Sequence, residues 1–239
     1  MANENAKMNK DKLLHSLKNV VNGEITLKKK ISLDAWIELK KAVYPINNYI
    51  TTELTIKFID KLKLIFKNTR NVKGKLFLND LKALKEYYGK INVNANGYDF
   101  IAPVPVPEKT TKKDVIKIPE LSKSFPHITA EIKANIPYNE KKYGSSQKTG
   151  LINDAKKLST QKPSYDPTND YKFLVVLDYN FDDYDSKNAV DDLIRILNGP
   201  KANKVEEVEK IKKVEIVNLD NPPKITKGKI YIVMLGIND

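Results

Sequence analysis

Apolar residues in the first ninety positions recur at the spacing of amphipathic helices, with lysines and other polar residues between them. Four such stretches are predicted as helices: one ended by Gly23, one from Ser32 to Pro45, one from about Asn48 to Lys67, and one capped by Asn79 or Asp80 and stopped by Gly89. Residues 1–90 are therefore predicted to form a helical region.

From residue 91 onwards the period changes to that of strands. Short apolar or alternating segments lie at 98–101, 127–134, 173–177, 214–219 and 229–235, and helices are predicted at 146–159 and from Ser186 to Gly199. The polar segment 108–125 is interpreted as an inserted loop or a short hairpin. Alternating strands and helices are typical of a sheet covered by helices. We therefore predict an α/β (α+β) fold, in which residues 91–239 form a mixed central sheet flanked by helices.

The composition limits the chemistry that this chain can perform. Its 239 residues include no cysteine and two histidines, His15 and His127. Disulfides, thiolate zinc sites and cysteine nucleophiles are therefore excluded. Any metal would be held mainly by oxygen atoms, which Mg²⁺, Mn²⁺ and Ca²⁺ prefer.

The net charge of +12 suits a polyanionic partner such as nucleic acid. Nearly all of this charge is lysine, which suits phosphate contacts better than base recognition. A general bias towards Lys, Asn and Ile explains the same charge, so the charge permits DNA binding without demonstrating it. The N-terminal segment lacks the apolar run of a secretory signal, and we expect a soluble, cytoplasmic protein without a membrane span.

Glu131 and Lys133 lie two residues apart in the clearly alternating segment His127–Ala134, and we single them out for catalysis. Residues at this spacing in a strand project to the same side, roughly 6–7 Å apart. The carboxylate can hold a divalent cation, while the lysine orients or deprotonates an attacking water and offsets phosphate charge. Asp99 can meet Glu131 if their two strands are antiparallel neighbours. The alternative is an ordinary Glu–Lys pair on an exposed strand face.

The order of an Asp-containing strand, an Ala-Glu-Ile-Lys-Ala strand, a helix and an apolar strand resembles the PD-(D/E)xK nuclease superfamily, especially type II restriction endonucleases. The resemblance covers about residues 94–179. It implies a restriction-endonuclease-like core in which Asp99 and Glu131 bind one or two Mg²⁺ ions and Lys133 assists the water. The family's first acid often follows a proline and lies nearer the second motif, so Asp114 is the alternative to Asp99. An additional acid from an upstream helix would be Glu53 or Glu86.

Two other polar segments are candidates for ligand contacts. Gln147 and Lys148 lie at the start of the helix after Glu131, where unpaired N–H groups suit phosphates, although a plain helix cap explains them equally well. An acidic stretch follows the apolar strand and is interpreted as a solvated loop in preference to a calcium site; it contains Asp178, Asp182, Asp183 and Asp185.

Together these features predict a Mg²⁺-dependent, sequence-specific endonuclease of the restriction type that acts on double-stranded DNA. A homodimer is expected, because symmetric cutting of two strands needs two sites related by a two-fold axis. Two alternatives stay open: a non-catalytic, basic nucleic-acid-binding or regulatory protein, and a structure-selective repair or recombination nuclease of the same fold.

Overall fold

A computed structural model describes residues 47–69, 74–90, 97–105, 117–134, 143–160, 165–178, 186–199 and 214–236. These residues form four helices and five strands, in the order α1 (Asn47–Ile65), α2 (Lys75–Tyr88), β1 (Phe100–Ala102), β2 (Ile128–Lys133), α3 (Ser145–Ser159), β3 (Tyr171–Asp178), α4 (Ser186–Leu197), β4 (Val214–Ile216) and β5 (Ile230–Gly236). The two helices predicted before residue 46 lie outside the described residues. Among the helices that are described, none has the length and apolar character needed to cross a membrane.

The five strands form one sheet in the order β1-β2-β3-β5-β4. Strand β1 runs antiparallel to β2, with Phe100 opposite Ala130. The other neighbouring strands are parallel to each other. Strand β3 is buried from Lys172 to Leu177, as expected for an apolar strand in the middle of a sheet. The predicted mixed central sheet flanked by helices is therefore confirmed.

Helices α1 and α2 cover one face of the sheet. Phe58 of α1 packs edge-on against Phe100, with 5.4 Å between the ring centroids, and lies 5.3 Å from the ring of Phe173. The residues of β2 that point to this side are apolar and join the same core; they are Ile128, Ala130 and Ile132. Because side chains alternate along a strand, Glu131 and Lys133 point to the opposite face.

Helices α3 and α4 cover that opposite face. Their buried residues pack against Ile101, Leu174, Val176 and Ile232 of the sheet, and include Leu151, Ala155, Leu158, Leu193 and Leu197. Helix α3 connects β2 to its parallel neighbour β3, so it must cross the sheet on this face. The polar side of β2 therefore lies beneath α3.

Tyr88, at the end of α2, fixes the position of β1. Its hydroxyl donates a hydrogen bond to the carbonyl of Ile101 at 2.6 Å and accepts one from the N–H of Ile101 at 2.8 Å. The side chain is 1% exposed, so both bonds are sheltered from water. Helix α2 thus holds, from the apolar side, the short strand that follows directly after Asp99.

The start of α2 differs from the prediction that Asn79 or Asp80 caps it. The helix begins at Lys75, after Gly74, whose φ of 110° favours glycine. Asp80 lies inside the helix and accepts hydrogen bonds from the backbone N–H and the hydroxyl of Ser122. Its carboxylate is therefore used to hold the segment before β2, which explains why a cap-like residue occurs within a helix.

Candidate active site

Asp99 and Glu131 are neighbours across the antiparallel pair of β1 and β2. The register that places Phe100 opposite Ala130 puts Asp99 opposite Glu131 one step further on. The carboxylate of Asp99 accepts a hydrogen bond from the N–H of Ile132 at 2.8 Å. Asp99 was expected to meet Glu131 if their strands were antiparallel neighbours, and the structure has this arrangement.

Glu131 is buried. Its side chain is 1% exposed, because α3 lies over this face of β2. Lys133 is 31% exposed and lies nearer the solvent. The alternative of an ordinary ion pair on an exposed strand face is therefore wrong. A carboxylate rarely occupies such a position unless it is paired or serves a chemical role.

Helix α3 contributes two charged residues that form two neighbouring ion pairs with β2. The Lys157 ammonium pairs with the Oε1 atom of Glu131. The Lys133 ammonium lies 3.2 Å from the Oδ2 atom of Asp154. Residues three apart on a helix and two apart on a strand each share a face, so the two pairs form side by side.

Asp154 and Lys157 were not identified from the sequence, although Asp154 carried a signal. It lies on the apolar stripe of α3, three residues after Leu151 and four before Leu158, and it is 8% exposed. A carboxylate on the core-facing stripe of a helix requires a buried partner. This pattern could have predicted that Asp154 has a buried polar partner, but it could not have identified Lys133 as that partner.

The pKa values in this cluster reflect burial and crowding of carboxylates. Burial, followed by the charge of Asp99, raises the pKa of Glu131 to about 8, and Lys157 opposes this rise. Burial also raises the pKa of Asp154 above its usual range. For Lys133, burial lowers the pKa, but the charges of Asp154 and the other carboxylates outweigh it and raise the pKa overall. Lys133 therefore stays protonated at neutral pH.

Tyr98 interacts with both the backbone and the ammonium of Lys157. Its hydroxyl donates a hydrogen bond to the Lys157 carbonyl at 3.0 Å, and the Lys157 ammonium lies 5.2 Å from the centre of its ring. Burial and the charge of Glu131 raise the pKa of Tyr98 to about 12, so it acts as a neutral donor. Its ring packs against Tyr165, whose hydroxyl donates to the buried Asp170 at 2.6 Å. Tyr98 is thus held in place by both hydrogen bonding and ring packing.

The donor atoms present fit a divalent cation with a preference for oxygen. Within the described part of the chain, no three His, Asp or Glu residues are grouped so as to hold a metal on their own. Mg²⁺, however, is usually bound by one or two carboxylates, with water and substrate phosphates completing its shell. Asp99 and Glu131 can supply the two carboxylates. With all groups ionised, three carboxylates and two ammonium groups leave one net negative charge, which a cation would offset.

Two of the other predicted site residues, Glu53 and Glu86, do not join this cluster. Glu53 and Glu86 are exposed on α1 and α2, the helices that cover the opposite face of the sheet. Asp114 lies outside the described residues. His127 is exposed just before β2. The structure therefore provides no upstream helical acid from Glu53 or Glu86, whereas α3 provides Asp154.

Gln147 acts as a helix cap. Its side-chain oxygen accepts a hydrogen bond from the N–H of Gly144 at 2.9 Å, at the start of α3. This is the plain alternative that the sequence left open for it. Lys148 is half-buried in the same turn. Of the acidic stretch, Asp178 ends β3, and the residues Asp182, Asp183 and Asp185 lie outside the described part of the chain.

No family model matches this chain, and neither a curated protein nor a solved structure matches it.

Proposed function

We propose that this protein is a Mg²⁺-dependent endonuclease that hydrolyses phosphodiester bonds of double-stranded DNA, in the manner of type II restriction enzymes. The observation that carries the proposal is the position of Asp99 beside Glu131, on antiparallel strands, with Lys133 two residues further along β2. These are the three residues to which the resemblance to PD-(D/E)xK nucleases assigns catalysis.

The order and direction of the elements support the same proposal. The Asp99 strand β1 pairs antiparallel with the Glu131 strand β2, and α3 then crosses to the buried parallel strand β3. This is the succession of elements on which the resemblance rests. A restriction-endonuclease-like core is therefore the finer fold that we propose for residues 91–239, with α1 and α2 covering one face of its sheet.

Asp99 and Glu131 would hold the Mg²⁺ ion, which supplies charge neutralisation at the phosphate and lowers the pKa of a bound water. Lys133 projects from the same face and is partly exposed, so it can reach a substrate group beside these carboxylates. Because neighbouring carboxylates keep it protonated, we assign it the role of a cationic donor that orients the water and offsets phosphate charge. It is not suited to accept the proton from that water.

Asp154 has a positioning role in this scheme. Its carboxylate holds the Lys133 ammonium at 3.2 Å and keeps the long lysine chain in one direction. Fixing a flexible cation before the substrate arrives reduces the ordering cost that would otherwise be incurred in the transition state. The +12 charge of the chain supports a polyanionic substrate. A homodimer is part of the proposal, since one site per strand cuts both strands of a duplex.

The direct test is incubation of the purified protein with mixed-sequence duplex DNA, with Mg²⁺ or with EDTA, followed by mapping of the fragment ends. We expect discrete fragments that require Mg²⁺ and share one end sequence. Fragments that share a junction or nick in place of a sequence would assign the site to branched or damaged DNA. Intact DNA, under conditions in which binding is demonstrated, would contradict the proposal and favour a non-catalytic nucleic-acid-binding protein.

A further inference from the structure

Lys157 is the side chain that lies on the carboxylate of the proposed metal site. Its ammonium contacts the Oε1 atom of Glu131, while Lys133 is paired with Asp154. The side chain of Glu131 is 1% exposed and that of Lys157 is 26% exposed. The contact therefore joins a buried carboxylate to a lysine side chain that partly reaches the solvent.

The backbone of Lys157 is fixed by hydrogen bonds, whereas its side chain is held only through contacts of the ammonium. The Tyr98 hydroxyl binds its carbonyl at 3.0 Å, and the residue lies within the last turns of α3. A lysine chain on a fixed backbone can change rotamer and carry its ammonium into water at little cost. Glu131, in contrast, is held in a strand paired on both sides and cannot follow a partner out of the site.

A cation that coordinates the Oε1 atom of Glu131 must displace Lys157, and a cation on the other carboxylate oxygen would lie close to the same ammonium. One carboxylate oxygen cannot accept a close ammonium and coordinate a divalent ion in the same direction, and two positive charges at such a distance repel each other. We propose that the Lys157 ammonium and a divalent cation compete for the Glu131 carboxylate, so that metal binding releases Lys157 from its ion pair. This inference rests on the metal-dependent site proposed above and adds a residue of α3 that regulates its loading.

Lys157 is therefore expected to weaken metal binding. In the absence of metal, its ammonium compensates the charge of the buried Glu131 carboxylate. Replacing Lys157 with Met keeps the apolar stem and removes the competing charge. Lys157→Met should bind Mg²⁺ about tenfold more tightly than the natural protein, which corresponds to ~1.4 kcal/mol for the removal of one partly exposed ion-pair partner. Lys156→Met is the matched control, because Lys156 carries the same charge in the same turn of α3.

The affinity is measured by calorimetric titration of the full-length protein with Mg²⁺ alone, over a series of alkaline pH values. The pH-independent limiting affinities are compared, because loss of Lys157 raises the pKa of Glu131 further and the carboxylate must be ionised in both proteins. Tighter binding by Lys157→Met, together with unchanged binding by Lys156→Met and Lys157→Arg, supports competition. Unchanged or weaker binding by a folded Lys157→Met overturns it. Equal tightening in both methionine variants also overturns it, because that result reflects the overall charge of the protein.

A second measurement uses the natural chain and does not depend on the folding of a variant. Lysines are acetylated briefly with and without saturating Mg²⁺, and the modification of Lys157 is compared with that of Lys156 by mass spectrometry. Competition predicts that Mg²⁺ increases the acetylation of Lys157 several-fold relative to Lys156. No increase overturns the inference. If the protein cleaves DNA with Mg²⁺ and yet shows no increase, the inference alone has failed; if acetylation increases but no DNA is cleaved, the proposed function alone has failed.

Discussion

Replacing Glu131 with Gln should make the protein more stable at alkaline pH, although Glu131 lies at the centre of the proposed site. The folded protein raises the pKa of this carboxyl from 4.5 to about 8. Below pH 4.5 the group is protonated in both the folded and unfolded states, so burial of charge costs nothing. Between these values the unfolded chain ionises first, and the free energy of unfolding therefore falls as the pH rises.

The size of this effect follows from the two pKa values. At ~1.4 kcal/mol for each pKa unit, a rise from 4.5 to about 8 corresponds to ~5 kcal/mol of lost stability above pH 8. Gln is neutral at every pH and nearly the same shape, so Glu131→Gln should recover much of that amount. The pKa of about 8 already includes the attraction of Lys157, and Lys157 is 26% exposed, so its ammonium can reach water in the variant.

Urea unfolding of both proteins across this pH range measures the difference. We expect the two stabilities to converge near pH 4.5 and to separate by several kcal/mol in favour of Glu131→Gln above pH 8. Glu53→Gln is a suitable control, because Glu53 is an exposed carboxylate on α1. A difference between the natural protein and Glu131→Gln that is independent of pH would refute the reasoning. A less stable Glu131→Gln above pH 8 would do so as well.

Three further substitutions test other parts of the account. Tyr88→Phe removes both hydrogen bonds to Ile101 and should lower the free energy of unfolding by ~1–3 kcal/mol in urea titrations; no loss would show that β1 is held by other contacts. Asp154→Asn removes a carboxylate that raises the pKa of Lys133, so this pKa should fall and the alkaline limit of DNA cleavage should move to lower pH. An unchanged limit would contradict the assignment of Lys133 as a protonated donor. Gln147→Ala should cost ~1 kcal/mol of stability and leave cleavage unchanged, whereas lost cleavage at full stability would indicate a substrate contact.

The alternating pattern of His127–Ala134 was sufficient to predict which side chains of β2 share a face. The apolar set lies in one core and Glu131 lies on the other side, because a strand has a fixed period of two. The meeting of Asp99 with Glu131 was also accessible, since it requires only that two successive strands pair antiparallel. These parts of the site depend on local geometry.

The two ion pairs between β2 and α3 could not be predicted in the same way. Whether Asp154 faces Lys133, and Lys157 faces Glu131, depends on how α3 lies across the sheet and on its register along β2. No spacing rule relates a strand to a helix that follows it after a loop. The sequence also does not state which face of the sheet α1 and α2 cover, so it could not exclude Glu53 or Glu86 as an additional acid at the site.

Single-turnover cleavage by Glu131→Gln tests whether Glu131 and its neighbours hydrolyse DNA. Duplex DNA cut by the natural protein is incubated with the variant at saturating Mg²⁺, after urea unfolding has shown that the variant is folded. If Glu131 holds the metal, we expect a variant that is at least as stable at alkaline pH, still binds the duplex, and produces no fragments. Cleavage at the natural rate by this folded variant would contradict the account and place the hydrolytic site elsewhere in the protein.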